Sequence, residues 1–327
     1  MQTPQSLSLE DVQAAAERIR PYIHRTPILR CESLDRRTGA SLFLKAEHLQ
    51  KSGSFKIRGA LNKLLSLSPE EKKRGVVAFS SGNHAQGVAL AARLTGIHAT
   101  IVMPSDAPRV KLEATADYGA EIVLFDRFRE DREAIARGLA QSRGSVLVPP
   151  FDDLQVMAGQ GTLGLELAQE LPDLEVVLIP VGGGGLISGI ATALKGLHPS
   201  VEVYGVEPEA ADDARRSLEQ GQIVQIPQPN TVADGVATRA IGVFPFPIMR
   251  RLLSGIVTVS EVELVEALYF LLTRTKQLVE PTGALATAAA LQQRVQIRGR
   301  RVLSLLCGGN VDPRTLSSLL NPASHTR

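Results

Sequence analysis

Three short segments of the chain combine residue types and spacings that could do chemistry. The first is residues 180–189 (PVGGGGLISG), an apolar run that enters four consecutive glycines and then a helix-forming stretch. Glycine tolerates positive φ and lets an anion approach the backbone, while a helix N-terminus presents unpaired N–H groups at the positive end of its dipole. This reads as a phosphate cradle. The plainer reading is a flexible strand-to-helix loop, but four adjacent glycines raise the entropy lost on folding and offer no side chain to pack. A Walker A loop fails because no Gly-Lys-Ser/Thr follows, and a dinucleotide fingerprint from Gly183 and Gly185 meets Ser188 at its third glycine position. Glu207, at the end of the next strand, could imitate its ribose-binding acid. On the glycines alone, a nicotinamide enzyme stays open.

The second segment is residues 51–60 (KSGSFKIRGA). Lys56 sits between Phe55 and Ile57 at the expected start of a helix. An amine in apolar surroundings loses proton affinity and becomes a nucleophile toward an aldehyde; taken alone, it is an ordinary solvated lysine. The third segment, residues 80–87 (SSGNHAQG), is another strand–turn–helix junction rich in small donors. It could take a carboxylate on backbone N–H groups and serine hydroxyls, or simply cap a helix.

These segments need a scaffold. Ser8 followed by Asp11 predicts a helix start for the amphipathic residues 9–23. Apolar, β-branched strands are predicted at 42–46, 76–80, 99–103, 121–125, 146–148, 176–181, 202–206, 256–259 and 302–306. Helical runs lie between them, at 85–95, 130–141, 155–170, 186–197, 261–276 and 283–294. This alternation predicts an α/β fold with parallel sheets covered by helices on both faces. Glycine-rich loops follow three of the strands, and open α/β sheets bind ligands at the carboxyl ends of their strands. One shared site is expected.

The composition excludes other classes. The 327 residues allow about two domains at roughly 150 residues each. Hydrophobic residues at 44% and charged residues at 21% describe a globular chain. A net charge of +2, with no Lys/Arg run, leaves no footprint for nucleic acid. Cys31 and Cys307 are too far apart in sequence for a zinc site or a disulfide framework, and fit a reducing compartment. The N-terminus lacks the charge and apolar core of a signal peptide, and no apolar run approaches the ~20 residues of a membrane helix. A cytoplasmic protein without membrane partners is expected.

Taken together, the segments resemble the pyridoxal-phosphate enzymes of fold type II, within the serine/threonine dehydratase and serine racemase group. The resemblance runs nearly end to end. It passes through residues 24–28 (HRTPI), 52–60 (SGSFKIRGA), 80–84 (SSGNH) and 158–162 (AGQGT). It continues through the four glycines to 233–235 (ADG), 279–282 (VEPT) and 307–310 (CGGN). It implies two open, mostly parallel sheets in the manner of the tryptophan synthase β chain, with pyridoxal 5'-phosphate in the interdomain cleft. Residues 75–152 would form a small mobile domain, and residues 1–74 and 153–327 a large cofactor-binding one.

The resemblance also implies roles. Lys56 would condense with the cofactor aldehyde and act as the base at the substrate Cα, with Phe55 against the pyridine ring. Asn83 would meet the ring hydroxyl, and Gly182, Gly183, Gly184 and Gly185 the phosphate. Gly235 and Glu280 would line the ring, and Cys307 would be the uncharged partner of its nitrogen; on its own, Cys307 is a buried strand-end cysteine. An uncharged partner favours β-elimination over aminotransferase chemistry. Ser80, Ser81, Asn83 and His84 would take the substrate carboxylate. Arg132 aligns with an arginine near that carboxylate in some racemases, although its surroundings read as a solvated charged face. Ser81 could also deliver a proton to the face opposite Lys56.

Residues 207–213 (EPEAADD) resemble the subgroup's divalent-cation site. There, Glu207, Asp213 and the carbonyl of Ala211 would offer the all-oxygen ligands that Mg²⁺ or Ca²⁺ favours; acids at a helix N-terminus are the plainer reading. The expected reaction is dehydration and deamination of L-threonine or L-serine to a 2-oxoacid and ammonia. Serine racemisation and 3-hydroxyaspartate dehydration are the alternatives. The chain resembles the short, catabolic dehydratases without a C-terminal regulatory domain, and a homodimer is the family expectation.

Overall fold

The computed structural model describes residues 6–321 apart from positions 81 and 108. Among the described residues, ten strands form two sheets. In chain order they are β1 (Ile28–Arg30), β2 (Ser41–Lys45), β3 (Val76–Phe79), β4 (Ala99–Pro104), β5 (Glu121–Phe125), β6 (Val146–Leu147), β7 (Val176–Pro180), β8 (Glu202–Pro208), β9 (Gly255–Val259) and β10 (Arg301–Leu305). One sheet has the order β1-β2-β10-β7-β8-β9 and the other β5-β4-β3-β6. Every pairing is parallel except β1 with β2.

The apolar strands are buried as their composition demands. Every residue of β3, β4 and β7 is buried, because helices cover both faces of a parallel sheet. On one face of the six-stranded sheet the helix Pro281–Leu291, buried along its whole length, packs among Leu42, Val176 and Val302. On the other, the helix Gly185–Leu197 packs among Val177, Ile179 and Leu303. The four-stranded sheet holds Ile57, Leu61 and Val88 against Val76, Ala78 and Ile101. No helix among the described residues is long and apolar enough to cross a membrane.

The predicted elements recur with shifted ends. The first helix begins at Leu9 behind a reciprocal Ser8–Asp11 cap but stops at Ile19 rather than at residue 23. Pro21 has no N–H to continue the ladder and disfavours helical geometry before it. The stretch predicted as a helix over 261–276 is α-helical only over Glu261–Phe270. It widens into a π-turn at Leu271–Thr275 and is turned out by Lys276 at φ +62°. Strand β1 carries no apolar alternation of its own; it is fixed by antiparallel pairing of Ile28 with Lys45 and Arg30 with Phe43.

Beneath the helix Lys56–Leu65 lies a buried charge network. Arg58 donates from Nε and Nη2 to both carboxylate oxygens of Glu47 at 2.8 Å, and from Nη1 to Glu166 at 2.6 Å. Lys45, equally buried, bridges Glu166 at 2.8 Å and Glu170 at 2.9 Å. Paired carboxylates offset the cost of burying these cations and raise the Arg58 pKa still further.

Candidate active site

Three loops leave the carboxyl ends of β3, β7 and β10 and meet at one cavity. Of the residues singled out from sequence, Phe55, Lys56, Ser80, Asn83, His84, Arg132, the four glycines, Gly235, Glu280 and Cys307 all line it. Ser81 lies outside the described residues. Pro150, Phe151, Lys111, Asp234 and Thr282 line it too. Asp234 and Thr282 fall within the segments 233–235 and 279–282 already noted, whereas no local pattern marks Pro150, Phe151 and Lys111, which reach the cavity only through the fold.

Lys56 opens its helix, and the turn before it is stitched to the strand-end loop after β10. Phe55 N–H donates to the Cys307 carbonyl at 3.1 Å, and Ser54 bridges Gly308. The Lys56 amine lies inside the cavity, donates to the Pro150 carbonyl at 2.8 Å and stands 5.2 Å from the Phe55 ring centroid. Desolvation lowers its pKa to about 8, against the opposing pull of Cys307 and Glu280.

The four glycines turn from β7 into the helix Gly185–Leu197, whose first N–H groups have no partner within the helix. Contrary to the expectation from sequence, these glycines do have a packing return. A side chain at Gly183 would run into the Phe151 ring, and Gly184 adopts φ +88° with Met249 Sδ 2.6 Å from where a Cβ would stand. The missing side chains let neighbouring residues close on the loop and leave its backbone bare toward the cavity.

Asn83, at the start of its helix, donates from Nδ2 to Glu280 Oε1 at 2.6 Å. Burial, with help from the Asp234 charge, raises the Glu280 carboxyl to about 8. The Cys307 thiol is pushed well up by burial and by Glu280, so it stays neutral. His84 gives Nε2 to the Val148 carbonyl at 2.9 Å, while its buried Nδ1 has no partner among the described residues. Burial and the Lys56 charge lower its pKa to about 3, so the ring is neutral and Nδ1 can only accept. Arg132 stands exposed at the mouth, 5.8 Å from the Phe79 ring centroid, and makes no ion pair among the described residues. Across the mouth, Lys111 pairs with Asp234 at 2.6 Å.

Glu207 lies within β8, and Ala211 and Asp213 follow it; all three are fully buried. The Glu207 oxygens accept N–H groups of Ala214 and Arg215 at 3.0 and 2.9 Å. Both carboxylate oxygens of Asp213 are buried and, among the described residues, have no partner beyond its own main-chain N–H. Burial raises Glu207 well above the carboxylate range, with the Asp213 charge adding to it, and raises Asp213 to about 7. Among the described residues, no cluster of three or more His, Cys, Asp or Glu side chains is placed to hold a metal.

Fold and site together define an α/β enzyme built around a half-buried lysine and a glycine-lined anion cradle. Residues 19–308 match the family of pyridoxal-phosphate dependent enzymes. The chain is 50% identical over 313 residues to an L-threo-3-hydroxyaspartate ammonia-lyase of Pseudomonas sp., covering 96% of this chain and 98% of that one. Among solved structures, a threonine deaminase from T.th. matches at a TM-score of 0.87 and 53% identity, covering 93% of this chain and 99% of that one. The maize serine racemase matches at 0.92 and 39%, covering 96% of each chain. The protein belongs to the pyridoxal-phosphate-dependent family, in fold type II.

Proposed function

We propose that this enzyme is an ammonia-lyase that eliminates water from β-hydroxy amino acids, with L-threo-3-hydroxyaspartate as its preferred substrate. The sequence alone put L-threonine and L-serine first. The observation that carries the change is Arg132, a guanidinium at the cavity wall that makes no salt bridge among the described residues. A substrate with a second carboxylate would supply that partner, and guanidinium–carboxylate pairing is strong and directional. Relatives named for this reaction, in Pseudomonas and in Saccharomyces cerevisiae at 46% identity, support the same order. Relatives named as threonine ammonia-lyases, at 47% identity in Geobacter sulfurreducens, keep the monocarboxylic substrates as the second reading.

The cavity's own chemistry fits the cofactor. Its lysine has a lowered pKa, its glycine loop is bare, and its one thiol is neutral. When bound, pyridoxal phosphate supplies an aldehyde for Lys56 and an electron-withdrawing ring that acidifies the substrate Cα–H. Gly182 to Gly185 would hold the phosphate on N–H groups, Phe55 and Gly235 would flank the ring, and Asn83 would donate to its hydroxyl. Lys56, biased toward the neutral amine, would take the proton at Cα. Cys307 stays uncharged and so does not force a proton onto the ring nitrogen, which suits loss of a β-hydroxyl.

Ser80, Asn83 and the N-terminus of the helix Asn83–Thr95 would take the α-carboxylate. His84 Nδ1 would accept from a substrate donor rather than pair with an anion. Residues 75–152 would move as a unit to exclude water, the Lys111–Asp234 pair closing the mouth. Glu207, Asp213 and the Ala211 carbonyl would hold Mg²⁺ or Ca²⁺, whose charge answers the unpartnered carboxylate of Asp213. A homodimer is part of this reading.

The test is a panel of L-threo-3-hydroxyaspartate, L-threonine and both enantiomers of serine, followed for 2-oxoacid, ammonia and inverted amino acid. Oxaloacetate formed with the highest kcat/KM supports the proposal. Higher kcat/KM on threonine, or D-serine without pyruvate from L-serine, overturns it.

A further inference from the structure

The strand-end loop after β10 carries Asn310, whose side chain joins three parts of the site that are far apart in sequence. Its Nδ2 donates to the Ser52 carbonyl at 2.7 Å and to Asn83 Oδ1 at 2.8 Å. A carbonyl can only accept, so the bond to Ser52 fixes which end of the Asn310 amide is NH₂. Its second N–H then faces Asn83, and that forces Asn83 to present its oxygen there. The Asn83 NH₂ is left on the other side, one proton on Glu280 and the other with no partner among the described residues, in a side chain that lines the cavity.

Glu280 could not impose this orientation alone. A protonated carboxyl both donates and accepts, so it would tolerate either end of the Asn83 amide. The surrounding chain is shaped to admit Asn310. Ser52 is held at φ +60°, and Gly53, at φ +70°, has the Asn310 Oδ1 where a side chain would stand. Gly309 N–H donates to the Gly53 carbonyl at 2.9 Å, closing the pairing between the two loops.

We propose that Asn310 is a positioning residue that locks the Asn83 amide so that it offers a donor, not an acceptor, to the cofactor. The proposal rests on the reading that pyridoxal phosphate binds in this cavity with its ring hydroxyl against Asn83. Replacing Asn310 by alanine frees the Asn83 amide to turn. Replacing it by aspartate reverses the amide, since a carboxylate there must accept from the Asn83 NH₂.

The experiment is an absorbance titration of apoenzyme with pyridoxal phosphate over a pH series, for the wild type, N310A, N310D, N83A and the double variant N83A/N310A. N310D is expected to weaken uptake on the order of tenfold or more, the loss of a hydrogen bond to a charged group, and to move the pH at which the visible band titrates. N310A should weaken it less, and the double variant should match N83A within about twofold because both changes act through one amide. N310A and N310D binding as the wild type does, or independent losses in the double variant, would overturn the proposal while leaving the cofactor reading intact. Wild-type protein that took up no cofactor would overturn both. Should N310D fail to fold by circular dichroism, the coupling between N83A and N310A decides alone.

Discussion

The Lys56 amine and the Pro150 carbonyl lie 2.8 Å apart, joining the helix that carries the lysine to the segment that follows β6. This contact holds the amine in the cavity while adding no negative charge to keep it protonated. Desolvation brings its pKa down to about 8. The neutral amine attacks an aldehyde and the ammonium does not, so reactivity rises as pH climbs toward that value. Cofactor uptake by apoenzyme, followed in a stopped-flow spectrometer, should quicken about tenfold per pH unit below 8 and level off above it. A flat profile from pH 6 to 9 would contradict this reading. Lys56→Ala should abolish both the borohydride-sensitive visible band and turnover.

Arg132 provides a test of substrate class. Arg132→Gln keeps a polar side chain but removes the charge. It should lower kcat/KM for L-threo-3-hydroxyaspartate by about 10–100-fold, the loss of a charge-assisted pair, and change that for L-serine by no more than a few-fold. Equal losses on both substrates would place the guanidinium on the α-carboxylate common to them.

The unpartnered carboxylate of Asp213 predicts a cation response. Mg²⁺ or Ca²⁺ should raise the Tm of chelator-treated protein by a few degrees, and by less at pH 5.5 than at pH 8, because protons compete for the ligands. Asp213→Asn should remove the response. A Tm indifferent to both ions at pH 8 would leave the site without a metal.

The network under the lysine helix should be needed for folding. Glu47→Ala strips Arg58 of its bidentate partner in a fully buried setting, and Thr26 loses an acceptor at 2.5 Å. Breaking a buried pair from one side costs about 3–5 kcal/mol. Urea unfolding should show that loss, and a change below about 1 kcal/mol would mean that Glu166 alone suffices for Arg58.

Asn310 and Phe151 mark the boundary between what the sequence encodes locally and what the fold assembles. Strand–helix alternation, the reactive lysine and the glycine loop were legible because each is encoded within a dozen residues, by hydrophobic period and local backbone chemistry. The partners were not. Phe151 fills the space above Gly183, and Asn310 reaches Ser52 across 258 positions, only because strands of the two sheets deliver their carboxyl ends to one cavity. The charges differ in the same way. A lysine or glutamate is visible in the sequence, but the depth of burial that brings Lys56 and Glu280 both to about 8 is set by packing around the cavity. Local sequence determined which groups are present. Desolvation and strand order, which exist only in the folded chain, decided what those groups touch and whether they carry charge.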